Sequence, residues 1–266
     1  MDLLSIRGLC YAYTPGRDVL HGISLAVGEG EMVGLLGPNG SGKTTLLRCV
    51  SGVLGGAGGD IRIMGRPVTQ HTRRELARLI AFVPQYQELG YDFSCYDVVL
   101  MGRYAHLKGF RGESENDRRA ARRAMEQTDT WDFRERPADS LSGGERQRVM
   151  IARAIAQDAR LLLMDEPTAH LDIRHQTDIL DLIESLHRSH GLTVIGVYHD
   201  INLAARYAKR LVLMRKGVIA ASGTPRDVLT PEYLKEVYGI GVSVFDSPAD
   251  GSLCVFPRPN DTAYLK

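Results

Sequence analysis

The chain has 266 residues, a hydrophobic fraction of 44%, a charged fraction of 24% and a formal net charge of +1. This composition is typical of a globular protein with a sizeable core, and the nearly balanced charge argues against a nucleic-acid partner. Neither a run of about 18 apolar residues nor a basic segment followed by an apolar stretch occurs, so we expect no membrane span and no secretory signal. The four cysteines form no CxxC pair, which argues against a zinc site or a disulfide framework and fits a reducing cytoplasm.

The first part of the chain predicts short strands around a glycine-rich loop. Four strands and one helix are expected, the strands at Leu3–Tyr11, Ile23–Val27, Glu31–Leu36 and Ile80–Val83 and the helix from Lys43 to about Ser51. Residues 94–157 look mostly helical and form an insertion.

The second part continues the alternation of strands and helices. Leu161–Met164 is an all-apolar run, typical of a central parallel strand covered on both faces. Ile173–His190 has the spacing of an amphipathic helix that ends at Gly191, and Thr193–Val197 predicts another buried strand. Two hairpins are expected, Leu211–Met214 with Val218–Ala221 and Val242–Phe245 with Leu253–Phe256. Strands alternating with helices predict a parallel α/β core.

The loop before the first helix has the pattern GxxxxGK[ST], with a strand on one side and a helix on the other. Glycines let the backbone wrap closely around phosphate groups, and the helix N-terminus adds a favourable partial charge. We expect Lys43 to reach the β- and γ-phosphates of ATP and Thr44 to bind Mg²⁺. The predicted nucleotide-binding residues are Gly37, Pro38, Asn39, Gly40, Ser41, Gly42, Lys43, Thr44 and Thr45.

Two carboxylates directly follow the apolar strand Leu161–Met164. Ligands gather at the carboxyl ends of such strands. Asp165 is expected to hold Mg²⁺, directly or through water, and Glu166 to polarise the water that attacks the γ-phosphate. Together with the phosphate loop, this pair predicts nucleotide hydrolysis.

A third motif, LSGGE, lies at Leu141–Glu145, between the phosphate loop and the acidic strand end. Ser142 and the Gly143–Gly144 backbone can open a helix that runs through Gln157 and form a second anion site. With these motifs the chain resembles the ATP-binding-cassette (ABC) ATPases over roughly residues 3–240. The resemblance implies that the γ-phosphate bound by the other subunit meets Ser142, Gly143, Gly144 and Glu145.

The same resemblance implies a fold and a domain plan. The fold is an α/β P-loop NTPase with a mixed sheet core, an antiparallel β subdomain and a helical subdomain. The ABC ATPase domain is expected at residues 1–240, with the helical subdomain at about 86–157, and a short C-terminal β extension is expected at 241–266.

Four further positions match landmarks of the family. Gln85, after Val83-Pro84, matches the Q-loop and should sense Mg²⁺ or the attacking water. His199 matches the switch histidine that contacts the γ-phosphate, and Asp172 matches the D-loop at the dimer seam. Tyr13 lies where the family places an aromatic that stacks on adenine, and Tyr11 is the alternative.

The segment Phe93–Tyr104 resembles the one that follows the Q-loop in importers of iron–siderophore, haem and cobalamin. Within it, Ser94 and Asp97 have the spacing of a capping box. In those importers the segment faces the coupling helix of the permease, so the docking surface is expected to include Tyr96, Val99, Met101, Arg103 and Tyr104. A zinc or manganese importer and a soluble ABC ATPase of iron–sulphur assembly remain alternatives, and the transported substrate stays open.

The resemblance also implies partners and a location. The chain is expected to form a homodimer that docks on a dimeric integral membrane permease. Through the permease it would serve a periplasmic or extracellular substrate-binding protein. It would lie peripherally on the cytoplasmic face of the inner or plasma membrane.

Several conspicuous side chains receive plainer interpretations. The arginine-rich helix near residues 113–128 is expected to present a solvated face, with a partner or anionic headgroups as the alternative, through Arg118, Arg119, Arg122 and Arg123. The histidines that lack metal-binding geometry are expected on the surface, namely His170, His175, His187 and His190. Cys49 is expected to be a small buried residue and Trp131 a packing anchor.

Overall fold

The computed structural model describes residues 2–85, 93–107, 112–248 and 251–258. Its strands are β1 Asp2–Thr14, β2 Arg17–Gly28, β3 Met32–Leu36, β4 Gly58–Ile63, β5 Arg66–Pro67, β6 Ile80–Val83, β7 Leu161–Asp165, β8 Thr193–Val197, β9 Arg210–Arg215, β10 Val218–Gly223, β11 Val242–Asp246 and β12 Leu253–Pro257. Its α-helices are α1 Lys43–Val50, α2 Arg73–Leu79, α3 Cys95–Leu100, α4 Glu115–Gln127, α5 Gly143–Ala156, α6 Ile173–His190, α7 Ile201–Tyr207, α8 Pro225–Val228 and α9 Pro231–Tyr238.

Contacts divide the chain into two compact units. The first unit combines Met1–Gly65 with Ile195–Lys266, and the second is Arg66–Val194. The domain bounds implied by the sequence, 1–240 with a helical subdomain at about 86–157 and an extension at 241–266, follow another criterion and stay a prediction.

The first unit contains an antiparallel sheet in the order β2-β1-β4. The register pairs Leu4 of β1 with Val27 on one side and with Ile63 on the other. The inward-facing residues Leu4, Ile6 and Leu9 are buried. Alternation of buried and exposed positions therefore packs one face of β1 into the core.

The same unit carries strands in the order β10-β9-β3-β8, with β9 parallel to β3 and antiparallel to β10. Every residue of β3 is buried, as expected for a central strand covered on both faces. The predicted hairpin is confirmed, because Lys216 and Gly217 both take positive φ angles and join β9 to β10. The predicted C-terminal hairpin is also confirmed, since β11 pairs with β12 from Val242 opposite Pro257.

In the second unit, β6 and β7 are parallel and pair Ile80 with Leu161 through Val83 with Met164. The helices α2, α3, α4 and α5 begin in the same way. In each, a hydroxyl side chain caps the backbone N–H of an acidic residue three positions on, and that carboxylate accepts the backbone N–H of the cap. The pairs are Thr72 with Glu75, Ser94 with Asp97, Ser114 with Asp117 and Ser142 with Glu145.

Helix α6 has the ends that the sequence predicts. Asp172 caps its first turn, and Gly191 follows its last residue with a φ angle of 62°. The buried side of the helix consists of Ile179, Leu180, Ile183 and Leu186. Across the described parts of the chain, none of the helices combines the length and the apolar character needed to cross a bilayer.

The predicted docking surface is wrong at two of its residues, Val99 and Arg103. Val99 is completely buried and Arg103 is only 9% exposed. The Nε of Arg103 donates to Asp117 Oδ1 at 3.0 Å, and its NH1 donates to the carbonyl oxygen of Ala156 at 2.7 Å. The Arg103 guanidinium therefore forms buried hydrogen bonds within the chain, whereas Tyr104, at 63% exposed, lies on the surface.

Candidate active site

The phosphate loop follows β3 in the first unit and contains a backbone that only glycine fits. Gly37 has a φ angle of 147°, and a Cβ built on it would lie 2.2 Å from the carbonyl oxygen of Met214. The backbone N–H of Ser41 donates to the carbonyl oxygen of Pro38 at 3.1 Å and closes the turn. The loop then leads directly into α1 at Lys43.

Two polar side chains of this loop, Ser41 and Lys43, are buried. Lys43 is buried, and its Nζ donates to the carbonyl oxygens of Gly37 at 2.7 Å and Pro38 at 3.1 Å. The Ser41 hydroxyl is buried and finds no hydrogen-bond partner in the described structure. A buried hydroxyl without a partner is costly, and a phosphate oxygen would satisfy it. The loop therefore fits the phosphates of a nucleotide.

Tyr13 lies on β1 in the same unit and points its hydroxyl at the helix that follows the phosphate loop. The Tyr13 hydroxyl and Thr45 Oγ1 are 3.2 Å apart. Tyr13 is nevertheless 51% exposed. Tyr11 meets Tyr13 edge to face, with ring centroids 5.1 Å apart. Tyr13 offers the more accessible ring for a purine, and Tyr11 supports it.

His199 is exposed and follows β8, which neighbours β3 in the strand order. The preceding residue, Tyr198, donates its backbone N–H to the carbonyl oxygen of Leu35 at 3.1 Å. The next residue, Asp200, caps α7 through its side chain. Bonds on both sides thus hold the backbone at His199.

The second unit brings the predicted general base and the Q-loop glutamine together. Gln85 Nε2 donates to Glu166 Oε2 at 2.9 Å. This contact follows from the parallel pairing of β6 and β7, because Gln85 and Glu166 each come just after the end of one of these strands. Asp165 is buried at the end of β7, whereas Glu166 has a φ angle of 49°, uncommon for a residue with a side chain.

The LSGGE motif forms the first turn of α5. Ser142 is the N-cap, and its hydroxyl and backbone N–H both donate to Glu145 Oε2, at 2.8 and 2.9 Å. The pKa of Glu145 lies below its usual value, first because of the backbone N–H of Ser142, then because of the Ser142 hydroxyl and Arg136. Glu145 is thus an anchor for Ser142 within its own subunit.

Asp172 caps α6 and holds His175, which is exposed as the sequence predicts. Asp172 Oδ1 accepts the backbone N–H of His175 and also its Nδ1, each at 2.9 Å. The pKa of Asp172 is below its usual value, mainly because of the His175 backbone N–H and then the imidazole. The i, i+3 spacing of the two residues was the available signal for this pair.

The predicted site residues therefore fall into groups. The first unit holds Tyr13, the phosphate loop and His199, and the second holds Gln85 with Asp165 and Glu166. The second unit also holds the signature loop, defined here as Ser142–Gly144, and Asp172. The contact of the His175 ring with this loop was not predicted from the sequence.

The sequence pattern of the ABC transporter family matches residues 20–169, more than half of the chain. The chain belongs to the ABC transporter family. Members of this family couple ATP hydrolysis to transport, so the ABC ATPase predicted from the three motifs is confirmed.

Known proteins match this ABC ATPase in sequence or structure over most of its length. It is 43% identical to a hemin import ATP-binding protein of Streptomyces coelicolor, over 97% of this chain and 91% of that protein. It matches a chain of a metal-chelate type ABC transporter in an inward-facing conformation with a TM-score of 0.85, 29% identity and coverage of 97% and 98%. It also matches a dimeric ATP-binding cassette in a post-hydrolysis state with ADP and Pi, with a TM-score of 0.73, 28% identity and coverage of 84% and 99%. The predicted α/β P-loop NTPase fold is thereby confirmed.

Proposed function

We propose that this ABC ATPase powers an importer of metal chelates, of the iron–siderophore, haem and cobalamin class. The observation that supports the catalytic part is the 2.9 Å hydrogen bond between Gln85 and Glu166, the two residues proposed as nucleotide sensor and general base. The similarity to a hemin import ATP-binding protein and to a metal-chelate type transporter supports the choice of substrate class.

Substrate binding would begin at the phosphate loop. Lys43 already has its Nζ inside the loop, at 2.7 Å from the carbonyl oxygen of Gly37, and would turn to the β- and γ-phosphates. The Ser41 hydroxyl would donate to a phosphate oxygen, and Tyr13 would stack on the adenine. Mg²⁺, when bound, would neutralise phosphate charge, and its protein ligands would be Thr44, Gln85 and Asp165.

Hydrolysis would use Glu166 as general base. Its carboxylate would accept a proton from a water whose oxygen attacks the γ-phosphorus, while the bond to the β–γ bridging oxygen breaks and ADP leaves. His199 would contact the γ-phosphate. The Gln85 bond would hold Glu166 in place before nucleotide arrives and release it when Gln85 turns to the bound nucleotide.

The site would need a second copy of the chain. Each chain carries one phosphate loop and one signature loop, and the exposed residues Ser142, Gly143 and Asp172 form a face that a copy could meet. The similarity to a dimeric cassette supports this arrangement. The γ-phosphate would bridge the two copies, so hydrolysis would weaken the dimer.

The dimer would dock on a permease at the cytoplasmic face of the membrane, and the permease would receive its cargo from a substrate-binding protein. The exposed Tyr104, with the half-buried Tyr96 and Met101, would contribute to the docking surface. The basic helix α4 would remain mainly solvated, because Arg118 pairs with Glu113 and Arg122 with Glu126.

The test is purification of the tagged chain with its membrane partner, followed by ATPase measurements in proteoliposomes. We expect a multi-pass membrane protein to co-purify and a metal chelate, supplied with its binding protein, to raise the hydrolysis rate severalfold. Lys43→Ala complexes serve as the background control. Stimulation by Zn²⁺ or Mn²⁺ instead would favour the other importers, and failure of any membrane protein to co-purify would favour the soluble assembly ATPase.

A further inference from the structure

The first turns of α5 and α6 touch through a glycine and a histidine. A Cβ built on Gly144 would lie 2.6 Å from Cδ2 and 3.2 Å from Cγ of His175. A Cβ built on the neighbouring Gly143 would lie 3.3 Å from Cδ2 of Leu171. The imidazole of His175 thus lies directly against the backbone of the signature loop, in a space that a larger residue at position 144 would fill.

The ring is held in one orientation from the other side. Asp172 Oδ1 accepts both the backbone N–H and Nδ1 of His175, each at 2.9 Å. Because an ionised carboxylate can only accept, Nδ1 must carry a proton, and the Cδ2 atom of the ring faces Gly144. A fixed ring can act as a spacer between Asp172 and the signature loop.

The segment that carries Asp172 is itself braced. Gln176 Nε2 donates to the carbonyl oxygen of Leu171 at 3.0 Å, and the backbone N–H of Leu171 donates to the carbonyl oxygen of Thr168 at 3.3 Å. The backbone N–H of Ala169 donates to the carbonyl oxygen of Glu166 at 3.1 Å. Hydrogen bonds therefore connect the segment that begins at Glu166 to the first turn of α6, which carries His175.

We propose that His175 is a positioning residue that sets the signature loop at the distance required to bind the γ-phosphate presented by a second copy. This inference rests on the composite site of the proposed function. An atom-sized gap beside Gly144 would let the loop shift, and a displacement of about 1 Å can lower turnover by about 100-fold. The side chain of His175 is 48% exposed, so removing it takes little from the core and the effect falls on the loop.

Three substitutions distinguish the contribution of the His175 ring from that of its hydrogen bond to Asp172. His175→Phe keeps a ring against Gly144, His175→Asn keeps a donor for Asp172 without the ring, and His175→Ala keeps neither. We expect kcat to fall by about 10- to 100-fold in the Ala and Asn variants and less in Phe, with nucleotide affinity of the isolated chain unchanged. His190→Ala, an exposed histidine at the far end of α6, is the matched control. Wild-type kcat in both Ala and Asn variants would overturn the proposal.

Mixed dimers locate the defect. Lys43→Ala lacks a working phosphate loop and Ser142→Arg lacks a working signature loop, so mixing these two restores one complete site. His175→Ala mixed with Lys43→Ala should regain activity, because the intact signature loop of the Lys43→Ala chain covers the intact phosphate loop of the other. His175→Ala mixed with Ser142→Arg should not rise above the low activity of His175→Ala alone, because no site then pairs an intact phosphate loop with an intact signature loop.

The opposite pattern would assign His175 to the phosphate-loop half and overturn the proposal, as would a loss that neither partner rescues. The Lys43→Ala and Ser142→Arg mixture tests the composite site separately. If the mixture of Lys43→Ala and Ser142→Arg stays inactive while wild type hydrolyses ATP, the proposal of a composite site between two copies is wrong. The positioning role of His175 is then wrong as well.

Discussion

Glu166 occupies an unusual backbone position for a residue with a side chain. Its φ angle of 49° lies in the left-handed region, and its carboxylate accepts a hydrogen bond from Gln85. Such conformations carry a cost and persist where the surrounding structure enforces them. The motif predicts the role of Glu166 from the sequence, whereas its conformation depends on the packing after β7.

Replacing the base tests its role at this scale. In Glu166→Gln the amide cannot accept the proton of the attacking water, so we expect steady-state phosphate release to fall by about 10²- to 10⁴-fold while ATP still binds. Glu135→Gln, on an exposed side chain, is the control. Turnover close to that of wild type would remove Glu166 from the role of general base.

The segment Gly102–His106 links the region after α3 to the far end of the helix that carries the signature loop. A Cβ on Gly102 would lie 2.3 Å from the carbonyl oxygen of Arg153, and Arg103 NH1 donates to the carbonyl oxygen of Ala156. His106 Nε2 lies 2.9 Å from the carbonyl oxygen of Gln157. The bonds from Arg103 and His106 thus reach the carbonyl oxygens of Ala156 and Gln157, where α5 ends and carbonyl groups lack intrahelical partners.

Arg103 is therefore expected to act on stability. Arg103→Leu would leave the buried carboxylate of Asp117 without its cation and lower the free energy of unfolding by about 3–5 kcal/mol, measured by urea denaturation. Arg118→Leu, which breaks an exposed pair with Glu113, should cost about 0–1 kcal/mol. Equal losses of unfolding free energy in the two variants would contradict a stabilising role for the buried Arg103–Asp117 ion pair.

The Asp117 contribution should also depend on pH. Burial alone would raise the pKa of Asp117, but hydrogen bonds from Ser114 and Arg103 outweigh it and bring the pKa to about 2, below the ordinary 3.8. A lowered pKa means that this stabilisation is complete above pH 3.8 and is lost as the pH falls through about 2.

At the scale of elements, sequence predicted best where local signals mark both ends. Both ends of helix α6, Ile173 and His190, were predicted from the sequence because the periodicity and the terminal glycine agree. Helix α2 was not predicted, since its seven residues bury only Leu76 and give no clear period. Arg103 was misplaced because its partner Asp117 is 14 residues away and nothing local shows that the guanidinium turns inward.

For the whole molecule, the motifs identify the chemistry, while the supporting contacts come from tertiary structure. The phosphate loop, acidic pair and LSGGE motif were all readable from the sequence because their spacing is dictated by phosphate binding. The contact of His175 with Gly144 was not, because it joins the first turns of two helices about 30 residues apart in sequence. The proposed function would depend on a second copy at this scale, since one chain carries each proposed half-site once.

The most direct test of this account is the mass of Glu166→Gln in solution with different nucleotides, measured by sedimentation equilibrium. Because this variant would bind ATP without cleaving it, ATP should produce a species with twice the mass of one chain, whereas ADP should leave a single chain. Adding Ser142→Arg to the same variant should abolish the doubling with ATP. An identical mass with ATP and ADP, at ATP concentrations that saturate the phosphate loop, would contradict a γ-phosphate that bridges two copies.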